Sequence, residues 1–82
     1  MASAVYKFKG LEVGIGTANT VSNTTLIRIT NGGSSAVLTV ANTTATYANV
    51  TLVANEVMIV EKASTDTVAG SGMRAVPVAY RN

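Results

Sequence analysis

The sequence predicts an all-β domain, a small β-sandwich or barrel of six to seven short, mostly antiparallel strands. Apolar residues recur with a period of two in short runs, and clusters of Gly, Asn, Ser and Thr divide those runs at regular spacing. No stretch carries the 3.6-residue period of an amphipathic helix. The 82 residues make one domain, residues 1–82, with residues 1–3 as a flexible N-terminal arm. A chain of this length buries only about 60 to 65% of the surface its unfolded form exposes, so the core is expected to be thin.

The first strand, Ala4 to Lys9, sets Ala4, Tyr6 and Phe8 against Val5, Lys7 and Lys9. Aromatic residues lie on one face and basic residues on the other, as in a half-buried strand. Gly10 breaks this strand. Leu11 to Ile15 continues with Leu11, Val13 and Ile15 on one face, while Gly14 and Gly16 mark a bulge or a close backbone approach. Thr17 to Thr24 lacks apolar alternation and reads as a polar loop. Thr25 to Thr30 is the next strand, with Ile27 and Ile29 on a common face. Asn31-Gly32-Gly33 then reads as a tight hairpin turn, because Asn and Gly tolerate positive φ. Ser35 to Ala41 returns with Ala36, Leu38 and Val40 on one face, and Asn42-Thr43-Thr44 makes the following turn.

The densest apolar run is Tyr47 to Lys62, expected to be a hairpin of two β-branched strands joined across Ala54-Asn55-Glu56. Its first arm, Ala45 to Val53, alternates Ala48, Val50 and Leu52 against Tyr47, Asn49 and Thr51, and needs one core. In the second arm Val57 and Ile59 oppose Met58 and Val60. Both faces are apolar, as in a strand covered on both sides. Ala63 to Met73, with Ser64-Thr65-Asp66-Thr67 and Gly70-Ser71-Gly72, reads as the longest polar loop and an exposed tip. Arg74 to Tyr80 closes the domain with Val76, Val78 and Tyr80 on one face. Pro77 cannot donate a ladder hydrogen bond, which places this strand at a sheet edge. One internal echo, Thr20-Val21-Ser22-Asn23-Thr24-Thr25 against Thr39-Val40-Ala41-Asn42-Thr43-Thr44, occurs in two copies, too few for a solenoid.

Composition bounds the chemistry. Neither Cys nor His is present, so there is no disulfide framework and no ordinary zinc, copper or iron site. A small domain without such staples draws stability from copies of itself or from a partner surface. Six Lys and Arg face four Asp and Glu, 12% of the residues against roughly 25% in an average protein. That sparse, scattered charge predicts no nucleic-acid partner, and Lys7 and Lys9 read as a solvated strand face. No apolar run approaches the roughly 20 residues a membrane helix needs, and no secretory signal is visible, so synthesis in the cytoplasm is expected. Asn23, Asn42 and Asn49 match the glycosylation triplet but are not expected to meet the machinery that modifies it.

Enzymatic chemistry is not expected. A Ser or Thr nucleophile would need a Lys partner, and no Ser-x-x-Lys spacing occurs. Glu56 and Glu61 point to opposite faces of one strand and do not pair as general acid and base. Gly14-Ile15-Gly16 meets Asn19 where a dinucleotide-binding motif requires its third Gly. Asp66 stands alone among Ser and Thr, too few ligands for calcium, and reads as a turn cap. Two isolated Thr-x-Thr pairs, Thr44/Thr46 and Thr65/Thr67, do not form the ladder of an ice-binding face. No cofactor or metal is implied. Tyr6, Phe8, Met58, Val60 and Tyr80 remain as the apolar surplus, and they are the candidate residues for a subunit or capsid interface.

From residue 25 to residue 80 the order of elements resembles small virion proteins of tailed bacteriophages, closest to those of marine and cyanobacterial phages. The residues that carry the likeness are Asn31-Gly32-Gly33-Ser34-Ser35-Ala36 leading into Val37 to Val40, then Leu52-Val53-Ala54-Asn55-Glu56. An apolar strand ending in Glu61-Lys62-Ala63-Ser64-Thr65-Asp66-Thr67 and a closing Pro-Val strand complete it. The resemblance implies a cement or decoration protein that binds the outer capsid surface of the virion and bridges coat subunits. Its partners would be the major capsid protein and its own copies, as a trimer or dimer. Two alternatives stand beside it: another virion component such as a tail, adaptor or fibre-associated subunit, and a carbohydrate-binding β-sandwich. The latter would want aromatic residues grouped on loops, whereas Tyr6, Phe8, Tyr47 and Tyr80 fall in expected strands.

Overall fold

A computed structural model describes residues 6–80, and among them there is no helix. The expected N-terminal arm, and Ala4 and Val5 of the first expected strand, lie outside the described residues. Among the described residues eight strands form, not six or seven: β1 (Tyr6–Phe8), β2 (Val13–Gly14), β3 (Leu26–Asn31), β4 (Ala36–Ala41), β5 (Thr46–Leu52), β6 (Val57–Glu61), β7 (Thr67–Ala69) and β8 (Met73–Tyr80). They make two antiparallel sheets in a sandwich-like arrangement. One runs β1-β8-β3-β6 with β2 also on β8, and the other runs β5-β4-β7.

The period-two pattern sorts side chains as expected. Ile27 and Ile29 of β3, Leu38 and Val40 of β4 and Leu52 of β5 point into one shared core, whereas β8 adds Met73 and Ala75 to it and not the expected face of Val76 and Val78, which are buried outside that cluster. Met58 and Val60 of β6 pack against it and are half-buried.

The two expected hairpins are not hairpins. Asn31-Gly32-Gly33 does not turn β3 back onto β4: β3 pairs with β6 and β8, and β4 pairs with β5 and β7. The chain instead crosses from one sheet to the other. The same holds across Ala54-Asn55-Glu56, since β5 pairs with β4 while β6 pairs with β3. A third such arch, at Gly70-Ser71-Gly72, joins β7 to β8. Among the described residues only the Asn42-Thr43-Thr44 turn joins consecutive strands that pair directly. The Asn42 Oδ1 accepts the amides of Thr44 and Ala45 there, at 2.8 and 2.9 Å.

Asn31 holds the arches together. It is fully buried, and its Nδ2 donates to the carbonyls of Ser34 at 3.0 Å, Leu52 at 2.9 Å and Val53 at 3.3 Å, while its Oδ1 accepts the Gly33 amide at 3.0 Å. Its backbone accepts the Asn55 amide and donates to the Glu56 carbonyl, locking the first arch to the second. The Gly32 amide donates to the Gly72 carbonyl and ties in the third. Gly72 has φ +73°, and a Cβ there would lie 3.2 Å from the Gly33 Cα, so a larger residue would both strain its backbone and push these arches apart.

Two further expectations are corrected. Ala63 to Met73 is not an exposed loop, because Val68 at its centre is fully buried and pairs with Val40. A three-residue strand flanked by Thr and Ala is too short to display a period. Nor does β8 lie at an edge: it pairs with β3 on one side and with β1 and β2 on the other. Pro77 is accommodated because the carbonyl and the missing N–H of one strand residue point the same way. Its carbonyl accepts the Lys9 amide, so the missing donor faces residues 9–12, where the chain bulges between β1 and β2. Gly10 fits over the proline ring, where a Cβ would meet Cγ at 3.1 Å.

The segment after β2 closes one side of the sandwich. The Ile15 amide donates to Met73 and its carbonyl accepts from Gly70, after which Asn19 exchanges both backbone hydrogen bonds with Val68 on the outer edge of β7. The expected polar loop therefore links the two sheets. Its Val21, Ser22 and Asn23 all take positive φ, near 54–59°. A left-handed β-branched residue costs about 1–2 kcal/mol, opposed here by complete burial of the Val21 side chain.

Asn31→Ala is expected to destabilise the domain by on the order of 3 kcal/mol, since it strands the buried Leu52 carbonyl and frees the arches. Asn31→Asp, which loses the amide donor, should fall close to it. Urea unfolding followed by circular dichroism measures both.

Candidate interaction site

Opposite the closed side the sandwich stays open. Among the described residues β5 pairs with β4 alone and β6 with β3 alone, so each presents a free edge. Between them lies a cleft of about 270 Å³, lined by Leu38, Val40, Ala48 and Val50 from one sheet and by Met58 and Val60 from the other. Tyr47, Asn49 and Glu61 also line it. The period-two pattern turns Ala48 and Val50 inward, yet both are exposed, and Val50 is 40% accessible. Every β5 residue before Leu52 is exposed.

The candidate interface residues are thereby divided. Met58 and Val60 meet in the cleft. Phe8 stands on β1, at the far margin of the same sheet, 66% exposed. Of Tyr6 and Tyr80 the structure describes the backbone, which pairs the two residues opposite each other on β1 and β8. Exposure along Tyr47 to Lys62 also departs from expectation: the first arm, expected to need one cover, is the more exposed, and in the second Val57 is exposed while Ile59 is half-buried. The cause is position, since β5 has lost the partner that a hairpin with β6 would have supplied.

At one end of the cleft sits a polar cluster that residue spacing did not reveal. A bulge between Val40 and Ala41 leaves Tyr47 as an extra residue on β5 and re-aims its side chain. The Tyr47 hydroxyl donates to the buried Asp66 carboxylate at 2.5 Å, and this bond raises the Tyr47 pKa above its usual 10.0. Lys62 is also buried. Its Nζ donates to the carbonyls of Thr24 at 2.7 Å, Ala63 at 3.2 Å and Ser64 at 3.4 Å, pinning the turn after β6 to the chain entering β3. Burial pulls the Lys62 pKa below 10.5, and the negative charge of Asp66 works against that shift.

Three carbonyls around an ammonium make a built-in cation, and its role here is structural. Among the described residues no group of three acidic side chains gathers to hold a metal. The ion pair of Arg74 Nε with Glu12 Oε1, 2.9 Å, lies exposed on the other side of the sheet order and contributes little. Phe8 and Tyr47, exposed aromatics whose side chains are described, stand on opposite margins and form no common platform. What the open side offers is apolar contact and main-chain hydrogen bonding to an added strand.

A raised folded-state pKa makes Tyr47 a source of stability that is whole below pH 10.0 and lost as pH climbs through the folded value. Tyr47→Phe is expected to remove that alkaline loss, leaving a flatter stability profile above pH 10. Denaturant midpoints measured across pH 9 to 11 check it, and absorbance titration of the phenolates should show one fewer late-ionising tyrosine.

No protein-family model, no curated protein and no solved structure matches this chain.

Proposed function

We propose that this chain is a non-enzymatic virion structural protein, a cement or decoration domain. It binds the outer surface of a tailed-bacteriophage capsid and reinforces contacts between coat subunits, working as a homo-oligomer beside the major capsid protein. The observation that carries this reading is the unclosed side of the sandwich: an apolar cleft bounded by two strand edges that have no partner among the described residues. A thin core left open in this way gains most from a neighbour, because apolar area removed from water contributes about 25 cal/mol per Å². Free edges add main-chain hydrogen bonds to such a contact. The resemblance of residues 25–80 to small phage virion proteins names the kind of assembly. Repetition over a shell then multiplies a modest single contact through avidity.

Cryo-electron microscopy of the particle tests the assignment through copy number and symmetry. Density for this domain repeated over the capsid lattice is expected. A dozen or fewer copies at one vertex would replace the cement role with a tail or adaptor role.

Met58→Lys places a charge in the floor of the cleft, where the long side chain can reach the open mouth. The variant is expected to keep its β circular-dichroism spectrum while binding to capsids falls at least tenfold in a co-sedimentation assay.

A further inference from the structure

Strand edges that face solvent invite pairing, and proteins ordinarily guard them with charge, proline, shortness or a covering segment. Three margins of this sandwich are guarded. The outer edge of β7 is taken by Asn19. β1 is three residues long and is exposed at Lys7, with the exposed Lys9 directly after it. β6 is five residues long and ends on the exposed Glu61. β5 is the least guarded: Thr46-Tyr47-Ala48-Asn49-Val50-Thr51-Leu52 is seven residues long, with no charge and no proline, and only the bulge at Tyr47 interrupts its edge. Among the described residues nothing pairs with its outer edge, and its inward apolar residues Ala48 and Val50 are exposed.

We propose that β5 pairs antiparallel with the β5 of a second copy about a two-fold axis through Asn49. Asn49 is the midpoint of the seven-residue strand, so this register centres the contact on β5. It is also self-complementary, as a two-fold contact requires. Ala48 falls opposite Val50 on the inner face, an apolar pair, within the regular stretch of the strand after the bulge at Tyr47. Asn49 meets Asn49. No like charges are opposed, whereas β1 paired with itself about its midpoint would set Lys7 against Lys7.

Registered residues of an antiparallel pair share a face, so both inner faces lie on the same side. The three-stranded sheets join into one of six strands, β7-β4-β5-β5-β4-β7. The two open clefts then face each other, and Met58 and Val60 of each copy look toward those of the other. This inference rests on the reading of the domain as an oligomeric building unit. It is tested on the purified protein without any particle, so its failure and the failure of the capsid assignment are separate results.

Native mass spectrometry and light scattering of the purified chain are expected to show a dimer. Asn49 is exposed on the face away from the core, so Asn49→Lys and Asn49→Asp should each keep the wild-type circular-dichroism spectrum. Each should also be monomeric, because identical charges oppose at the axis. Mixing the two variants in equal amounts should restore a dimer whose mass is the sum of one of each. Asn49→Cys, the sole thiol in a chain without cysteine, should oxidise to a disulfide-linked dimer and supplies a second readout should a charged variant fold poorly. A wild-type monomer or trimer at micromolar concentration overturns the proposal. So does an Asn49→Lys variant that dimerises like the wild type, or an Asn49→Cys variant that does not cross-link.

Discussion

The fold depends on one buried amide. Asn31 sits where three arches leave one sheet for the other, and its side chain spends four hydrogen bonds on backbone groups that belong to no ladder. Arches expose carbonyls and amides inside the sandwich, where a donor or acceptor left unsatisfied costs roughly 1–3 kcal/mol. A primary amide suits the place because it can donate and accept at once. An apolar residue of similar size would fill the space and leave the carbonyls of Leu52 and Ser34 bare.

The rest of the architecture follows from gathering the arches at one end. Because the chain crosses to the other sheet after each of β3, β5, β6 and β7, strands adjacent in sequence from β3 onward lie in opposite layers, β4 and β5 excepted. The layers therefore close only where some other segment bridges them. Residues 13–19 do so along β8 and β7. No described segment does it along β5 and β6, and the core stays open to the surface there. The same connectivity that lets 82 residues enclose a core without cysteine leaves one of its sides unfinished. The polar cluster of Tyr47, Asp66 and Lys62 steadies that side at one end by tying β5 and the turn after β6 to the body of the domain.

The strands themselves were legible, and their partners were not. Alternation in Leu26–Asn31, Ala36–Ala41 and Thr46–Leu52 placed the inward residues correctly, because a pleated strand turns alternate side chains to opposite faces whatever it pairs with. The Asn-Gly-Gly and Ala-Asn-Glu turns were mistaken for hairpins because the same residues that bend a chain back within a sheet also bend it across to another. Pro77 was placed at an edge by a rule that holds for an unbroken neighbour, and here the neighbouring strand is broken opposite it. The Thr67–Ala69 strand escaped notice because one buried valine sets no pattern. Of the interface candidates, Met58 and Val60 came together in the cleft, while Phe8 lies a full sheet away. Strand order, which separates them, is a long-range property.

By itself, then, the sequence determined the class, the strand positions, the inward faces of β3, β4 and β5 and the lack of cysteine and histidine chemistry. Each of these is local or compositional. The tertiary structure decided which sheet each strand enters, why Asn31 is buried and which side of the sandwich remains open. Those depend on pairings between residues such as Asn31 and Leu52, 21 positions apart, and a period of two is indifferent to the partner that satisfies it.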